Sequence, residues 1–439
     1  MSSPAVVAPE SSERMTPLHW GVIALCFALN MLDGMDVLVM SYAAPLVMAE
    51  WDVGAARFGA VFSAALVGMA IGAVALAPLA DRYGRRRLVL LSTVVIGLGM
   101  IVTAQTDSLA ALATWRFLTG LGVGSMLATL TAVAAEFSTP ARRNLLVGLV
   151  LSGYPVGATL AGFVAAPWLE SMGWRWLFQV AGAASLLFIP LVFALMPESR
   201  AFLLARQPRD ALGRVNRIQR RLGLGELEAL PPPAVASEKS GPGRLFEGRQ
   251  QHDTPWLWAT FFLSFLALYF LLSWVPKLAV NAGLPLNQAV YAGALFNLGA
   301  FFGILILGHA SNRFGLQRMI ILFFALTVGG MLLFGGLNVS LPILLAEVFL
   351  LGFFMQGGFV GLYAAAAQIY PPEIRTTGVG WAIGAGRTGA IVGPWVGGHV
   401  IALGWSIGTT FAIFALPCLL AVLTTAQLRA PELRAQRTR

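Results

Sequence analysis

Twelve apolar stretches, each about as long as a bilayer-spanning helix, leave this chain few folds to choose from. They run approximately over residues 19–45, 58–80, 88–105, 109–135, 145–167, 174–196, 255–279, 288–310, 317–337, 342–365, 377–400 and 404–427. A spanning helix needs ~17–25 residues, whereas a barrel strand needs only ~9–11 of alternating character. These stretches are continuous, so the expected class is all-α: a polytopic membrane protein of twelve transmembrane helices in a helical bundle. Charged residues are 11% of the 439, against about 25% in soluble domains. Lys and Arg alternate with the spans. With the N-terminus on one side, 24 of the 29 fall on that side and 3 (Arg57, Arg175, Lys277) on the other. Arg116 and Arg387 lie inside spans. The positive-inside rule then predicts that both termini are cytoplasmic. The net charge of +9 reads as topology, and no nucleic-acid partner is expected. Cys26 and Cys418 sit in apolar segments, so no disulfide framework is expected. No cleavable signal peptide is evident in Met1–Pro17.

Two carboxylates interrupt the first stretch, in Leu32-Asp33-Gly34-Met35-Asp36. A charge at mid-membrane costs at least ~2.5–3.5 kcal/mol, so such groups are expected to be used. At i and i+3, Asp33 and Asp36 share a helical face, about 5–6 Å apart between Cβ atoms. If both face a wet cavity, their mutual repulsion lets one of them carry a proton. The alternative is that both stay ionised, neutralised by arginines from other helices.

The chain also repeats itself. Asp81-Arg82-Tyr83-Gly84-Arg85-Arg86-Arg87 follows the second stretch, and Asn312-Arg313-Phe314-Gly315-Leu316-Gln317-Arg318 follows the eighth, at an offset of 231. Pro140-Ala141-Arg142-Arg143 with Gly148 is matched by Pro372-Glu373-Ile374-Arg375 with Gly380, at an offset of 232. Two motifs at nearly one offset argue for a duplicated six-span unit. Parallel repeats with a mid-membrane cavity between them are an alternating-access architecture. The expected division is a cytoplasmic tail (1–18), an N-terminal half (19–196), a cytoplasmic linker (197–254), a C-terminal half (255–427) and a cytoplasmic tail (428–439). The linker holds an arginine-rich run from Arg206 to Arg221, compatible with a short basic helix on the membrane surface. Gly84 permits a tight reversal. Asp81, Arg82 and Arg85, with Glu136, Arg143, Arg313 and Arg375, are the expected gating residues, forming contacts when the inner face closes and losing them when it opens. Setting topology is the simpler role for these arginines.

The turn from Ala77 to Arg87 resembles the signature of the major facilitator superfamily, with Ala77 where the pattern usually starts with glycine. Pro197-Glu198-Ser199-Arg200 resembles the ending of the sixth helix in many members. Asp33-Gly34-Met35-Asp36, Trp115-Arg116-Phe117-Leu118-Thr119-Gly120-Leu121-Gly122 and Ala385-Gly386-Arg387-Thr388-Gly389-Ala390 resemble the aromatic acid:proton symporters of that superfamily. The resemblance implies the major facilitator fold and proton-coupled uptake of an aromatic carboxylate, such as a hydroxybenzoate, across the bacterial inner membrane.

Asp33 and Asp36 are the expected proton-coupling residues. Arg116 and Arg387 stay protonated and each needs an anion; Arg387 is the favoured partner of the substrate carboxylate, through two parallel hydrogen bonds. Arg116 is a second substrate contact or, alternatively, a structural ion pair. Tyr154, Tyr269, Asn297 and Gln356 are candidates for the walls of an aromatic site. Nothing points to an enzyme. No phosphate-binding loop followed by Lys-Ser/Thr is present, no catalytic triad or metal-ligand spacing is visible, and no cofactor is expected. The expected partners are the aromatic acid, protons and lipid, with the chain as a monomer. Rival readings are a proton-coupled exporter of drugs or other organic solutes, and a sensor signalling through the linker.

Overall fold

The computed structural model describes residues 15–140, 142–232, 242–248, 250–334, 340–371 and 374–429. Most of the expected N-terminal tail, part of the linker, Pro372-Glu373 of the repeat match and the end of the C-terminal tail lie outside these residues. No strand occurs among the described residues.

Among the described residues, eleven helices are long and apolar enough to cross a membrane: Pro17–Glu50, Ala55–Leu76, Arg85–Thr103, Leu109–Glu136, Leu145–Ala165, Leu169–Leu195, Gln250–Asn281, Leu286–Phe314, Leu316–Leu333, Leu341–Ile369 and Ile407–Ala426. The twelfth span of the fold, Arg375–Ala402, is 28 residues long. Its glycines and Arg387 dilute its apolar content, and it comes eleventh in chain order. Local chemistry explains the helix starts. Pro17 needs no N–H at the first turn of its helix. The hydroxyls of Ser108 and Ser406 accept from the free N–H groups of Ala111 and Thr409. Among the described residues three spans are irregular, the sixth being kinked at Gly173, where φ is +77°. The second ends in a π-helical turn, Gly72–Leu76, just before the resemblance-bearing loop, and the fifth is interrupted at Ser152.

Lipid gives helices no hydrophobic reason to associate, so the spans pack by close approach of small residues. The duplication is visible in these approaches. A Cβ on Gly68, Gly72 or Gly120 would stand 2.1–2.2 Å from a carbonyl oxygen of Phe117, Leu121 or Ala65. In the second half, a Cβ on Gly299, Gly303 or Gly352 would stand 1.8–2.0 Å from the carbonyl oxygen of Phe349, Phe353 or Phe296. The offsets are again 231 and 232. The second and fourth spans thus cross as the eighth and tenth do.

The two sets of six meet at the arginine-poor end of the bundle. There Ser41 Oγ donates to Ser273 O at 2.9 Å, Ser63 Oγ to Ile391 O at 2.7 Å and Thr159 Oγ1 to Ala294 O at 3.3 Å. Phe62 packs edge-on against Trp274, with centroids 5.2 Å apart. At the arginine-rich end, among the described residues, no hydrogen bond or ion pair crosses between the halves. Among the described residues, hydrogen bonds join the halves at one end of the bundle and not at the other.

Candidate functional site

The first span carries the acids, and the structure separates them. Asp36 is locked to Arg116 of the fourth span: Nη1 donates to Oδ1 at 2.8 Å and Nη2 to Oδ2 at 3.1 Å. Nη2 also reaches the Asp36 carbonyl at 3.2 Å. Both side chains are 1% exposed. Arg116, expected among the substrate contacts, has both terminal nitrogens engaged by this carboxylate. Asp33 is equally buried, yet neither of its oxygens has a hydrogen-bond partner among the described residues. Its electrostatic neighbours are Asp36 and, from the other half, Arg387.

Arg387 lies half-buried near the middle of the eleventh span. Among the described residues it makes no hydrogen bond or ion pair. Its field reaches Tyr269 and Tyr363 as well as Asp33. Beside it stands an aromatic wall from the seventh and tenth spans. Phe265 stacks on Tyr269 at 5.8 Å and meets Phe359 edge-on at 4.7 Å, and Tyr363 closes on Phe261 and Phe359. Gly386, next to Arg387, abuts the Phe265 ring so closely that a Cβ would lie 2.4 Å from it. Tyr154 of the fifth span sits near Asp33 and Tyr269, with its hydroxyl buried and unpaired. Asn297 and Gln356 are placed together instead: Gln356 Nε2 approaches Asn297 Oδ1 at 3.5 Å, and Asn297 Nδ2 donates to Gly293 O.

A cavity lies against the Asp36–Arg116 bridge, lined also by Met69, Tyr269 and Ser273. The centre therefore offers a neutralised ion pair, one bare carboxyl and one bare guanidinium flanked by rings. Such a set can hold a proton on one side and an aromatic anion on the other.

The expected gating residues lie at the arginine-rich end, and the contacts they make are within their own halves. Arg85 contacts Glu136 and lies 3.7 Å from Asp81. Arg82 and Arg313 each cover the ring that follows them, Tyr83 and Phe314. Arg375 Nε donates to Tyr370 O, and Arg143 is exposed. Gly84 has φ +106°, a conformation open to glycine. Sequence reasoning gave no role to Glu198. Its carboxylate accepts from the backbone N–H of Arg86 at 3.1 Å and of Ser199 at 3.0 Å, at the start of the third span, where free N–H groups favour an anion. A Cβ on Gly84 would strike that carboxylate. Burial holds the Arg200 guanidinium below its usual range, and Glu136 opposes that shift.

Duplicated six-helix halves, meeting at one end around a buried polar centre, define the fold of a membrane transporter. The chain belongs to the Major Facilitator Superfamily, whose sequence profile matches residues 25–305 and 257–439. Its relatives place it in the aromatic acid transporter branch. It is 32% identical over 435 residues to the 4-hydroxybenzoate transporter of Pseudomonas aeruginosa, with 96% of each chain covered. It is 34% identical over 409 residues to the gallate transporter of Pseudomonas putida, covering 92% of this chain and 90% of that one. Among solved structures, the inward-open conformation of the xylose transporter from E. coli superposes with a TM-score of 0.72, at 18% identity, over 93% of this chain and 96% of that one. Like these relatives, the chain is a transporter and not an enzyme.

Proposed function

We propose that this protein imports a hydroxybenzoate-like aromatic carboxylate with a proton, by alternating access, as a monomer in the bacterial inner membrane. The observation that carries the reading is the pairing of bare charges at the centre. Among the described residues Arg387 makes no hydrogen bond or ion pair, and Asp33, its electrostatic neighbour from the other half, has no partner for either oxygen. The substrate carboxylate takes Arg387 through the planar fork, and the aromatic ring lies along Phe265, Tyr269 and Phe359. Occupation of Arg387 removes the cation that balanced Asp33, so Asp33 takes a proton. Asp36 and Arg116 serve the site as a fixed bridge behind it. Asn297 and Gln356 supply polar groups at its edge.

Both termini and the 197–254 linker lie in the cytoplasm in this reading, so the unbridged, arginine-rich end faces inward. The gating residues around Asp81, Arg82, Gly84 and Arg85 then exchange partners when that end closes. The names of the relatives support the substrate class, and the first test follows from them. Purified protein in liposomes, given labelled 4-hydroxybenzoate outside and an imposed inside-alkaline gradient, should accumulate the label. Asp33→Asn should abolish gradient-driven accumulation. Accumulation at the wild-type level in that variant refutes the proton role of Asp33, and proton-driven accumulation of label within inside-out vesicles, in preference to right-side-out ones, refutes import.

A further inference from the structure

The fifth span is broken beside the proton site, and a side chain from the first span fills the break. Pro155 has no N–H, so the carbonyl of Leu151, four residues back, has no helical donor. Asn30 supplies one. Its Nδ2 donates to Val150 O at 2.8 Å and to Leu151 O at 3.1 Å. One amide NH2 carries two N–H groups, enough for both carbonyls. Asn30 is 1% exposed and lies three residues before Asp33, on the same face of its helix.

The two spans touch backbone to backbone around this bond. A Cβ on Gly34 would lie 2.0 Å from Tyr154 O, and one on Gly157 would lie 1.9 Å from Met31 O. Tyr154 is therefore fixed between the break and Asp33. Asn30 Oδ1, both oxygens of Asp33 and the Tyr154 hydroxyl are all buried without a partner among the described residues. All four belong to residues of the first and fifth spans, which pack backbone to backbone here.

We propose that Asn30 is a positioning residue for proton transfer: it splices the Pro155 break and so keeps Tyr154 packed on the turn that carries Asp33, from which its hydroxyl reaches the carboxyl as the carrier moves. The phenol donates a hydrogen bond to the ionised carboxylate and accepts from the protonated one. Asp33 can then lose its proton after the substrate has left. The inference rests on the proposed proton role of Asp33.

The test is a cycle of Asn30→Leu, Pro155→Ala and the double variant, each reconstituted in liposomes. Two rates are read: gradient-driven accumulation of 4-hydroxybenzoate, and its exchange at equal pH on both sides, which needs no net proton release. Asn30→Leu should cut accumulation at least tenfold and exchange by less than twofold. Pro155→Ala restores the backbone donor, so in that background Asn30→Leu should change accumulation by less than twofold. Equal losses of accumulation and exchange in Asn30→Leu, or the same tenfold loss with and without Pro155, overturn the inference. If Asn30→Leu alone does not fold, Pro155→Ala against the double variant decides: equal rates support the splice, a further loss refutes it. A wild-type protein that exchanges but never accumulates refutes the symport reading instead.

Discussion

The Asp36–Arg116 bridge should be the most strongly coupled ion pair in the protein. Both side chains are 1% exposed, and the pair is bidentate at 2.8 and 3.1 Å. Replacing Arg116 by Met leaves a carboxylate at mid-membrane with no counter-ion. Breaking a buried pair on one side costs ~3–5 kcal/mol, and a lone charge at the bilayer centre costs ~2.5–3.5 kcal/mol on insertion scales. Arg116→Met should therefore destabilise by about 3–5 kcal/mol, and Asp36→Leu by a similar amount. Removing both leaves an apolar contact, which is often neutral or stabilising, so the double variant should lie within ~1.5 kcal/mol of wild type. The coupling energy of the cycle is then at least ~4 kcal/mol. The Arg175–Asp107 pair at the arginine-poor end gives the contrast: it is 3.3 Å long with Asp107 88% exposed, and should couple by only ~0.2–1 kcal/mol. Denaturant unfolding of the detergent-purified variants measures both cycles. Additive losses at Asp36 and Arg116, or a coupling no larger than that of Arg175–Asp107, would refute the reasoning. A folded but inactive double variant would separate the bridge's part in transport from its part in stability.

Arg387→Lys should weaken ligand binding at least tenfold, because Lys lacks the planar fork. Thermal stability should hardly change, since Arg387 makes no hydrogen bond or ion pair among the described residues; unchanged affinity in a thermal-shift titration with 4-hydroxybenzoate sinks the assignment. Gly34→Ala places a methyl 2.0 Å from Tyr154 O and should cost ~1–3 kcal/mol by overpacking. Gly308→Ala meets nothing within 4 Å, so equal losses in the two variants would show that the first and fifth spans do not pack as described. Ser63→Ala removes the bond to Ile391 O that helps close the arginine-poor end. At ~0.5–1.5 kcal/mol per hydrogen bond it should raise the open population there about two- to tenfold, read as the labelling rate of a cysteine placed at that end. An unchanged rate refutes a sealing role for Ser63.

Much of the scaffold was legible because bilayer physics writes itself into composition. Twelve apolar lengths and their arginine bias need no tertiary information. The repeat offset seen in two cytoplasmic motifs reappears in the glycine contacts of the second, fourth, eighth and tenth spans. Partner choice was not legible. Asp33 and Asp36 look equivalent at i and i+3, and only the crossing of the first and fourth spans decides that Arg116 meets Asp36 alone. Asn30 passed unnoticed for the same reason, since its partners lie 120 and 121 residues away. A signal existed: a lone amide one turn from an acid, and a proline inside another span that frees a carbonyl. Joining them requires knowing that those two spans touch. Arg375–Ala402 shows the converse, a span whose glycines lower its hydropathy because it packs on protein. Gly389 and Gly393 sit against carbonyls of the seventh span, and Gly398 against that of Ala55.

Duplication built the scaffold, but the chemistry at its centre is not duplicated. At an offset of 232, Asp33 corresponds to Phe265, Asp36 to Leu268, Arg116 to Val348 and Arg387 to Pro155. The first half thus holds two acids and one base, the second a single base set among rings. With Asp33 ionised, the empty centre is neutral as a whole, one excess negative charge in one half facing one positive charge in the other. Opposite bare charges attract strongly in a medium of low dielectric constant, so the empty carrier has a reason to close around its own centre. A bound monocarboxylate alone would leave the loaded centre negative. Adding one proton to Asp33 makes each half neutral by itself. The empty and the fully loaded carrier then share a net charge of zero, whereas substrate without the proton carries an unbalanced charge. Movement between the two faces is cheapest for the two balanced states, and in the proposed symport that selection is what would couple the proton to the acid.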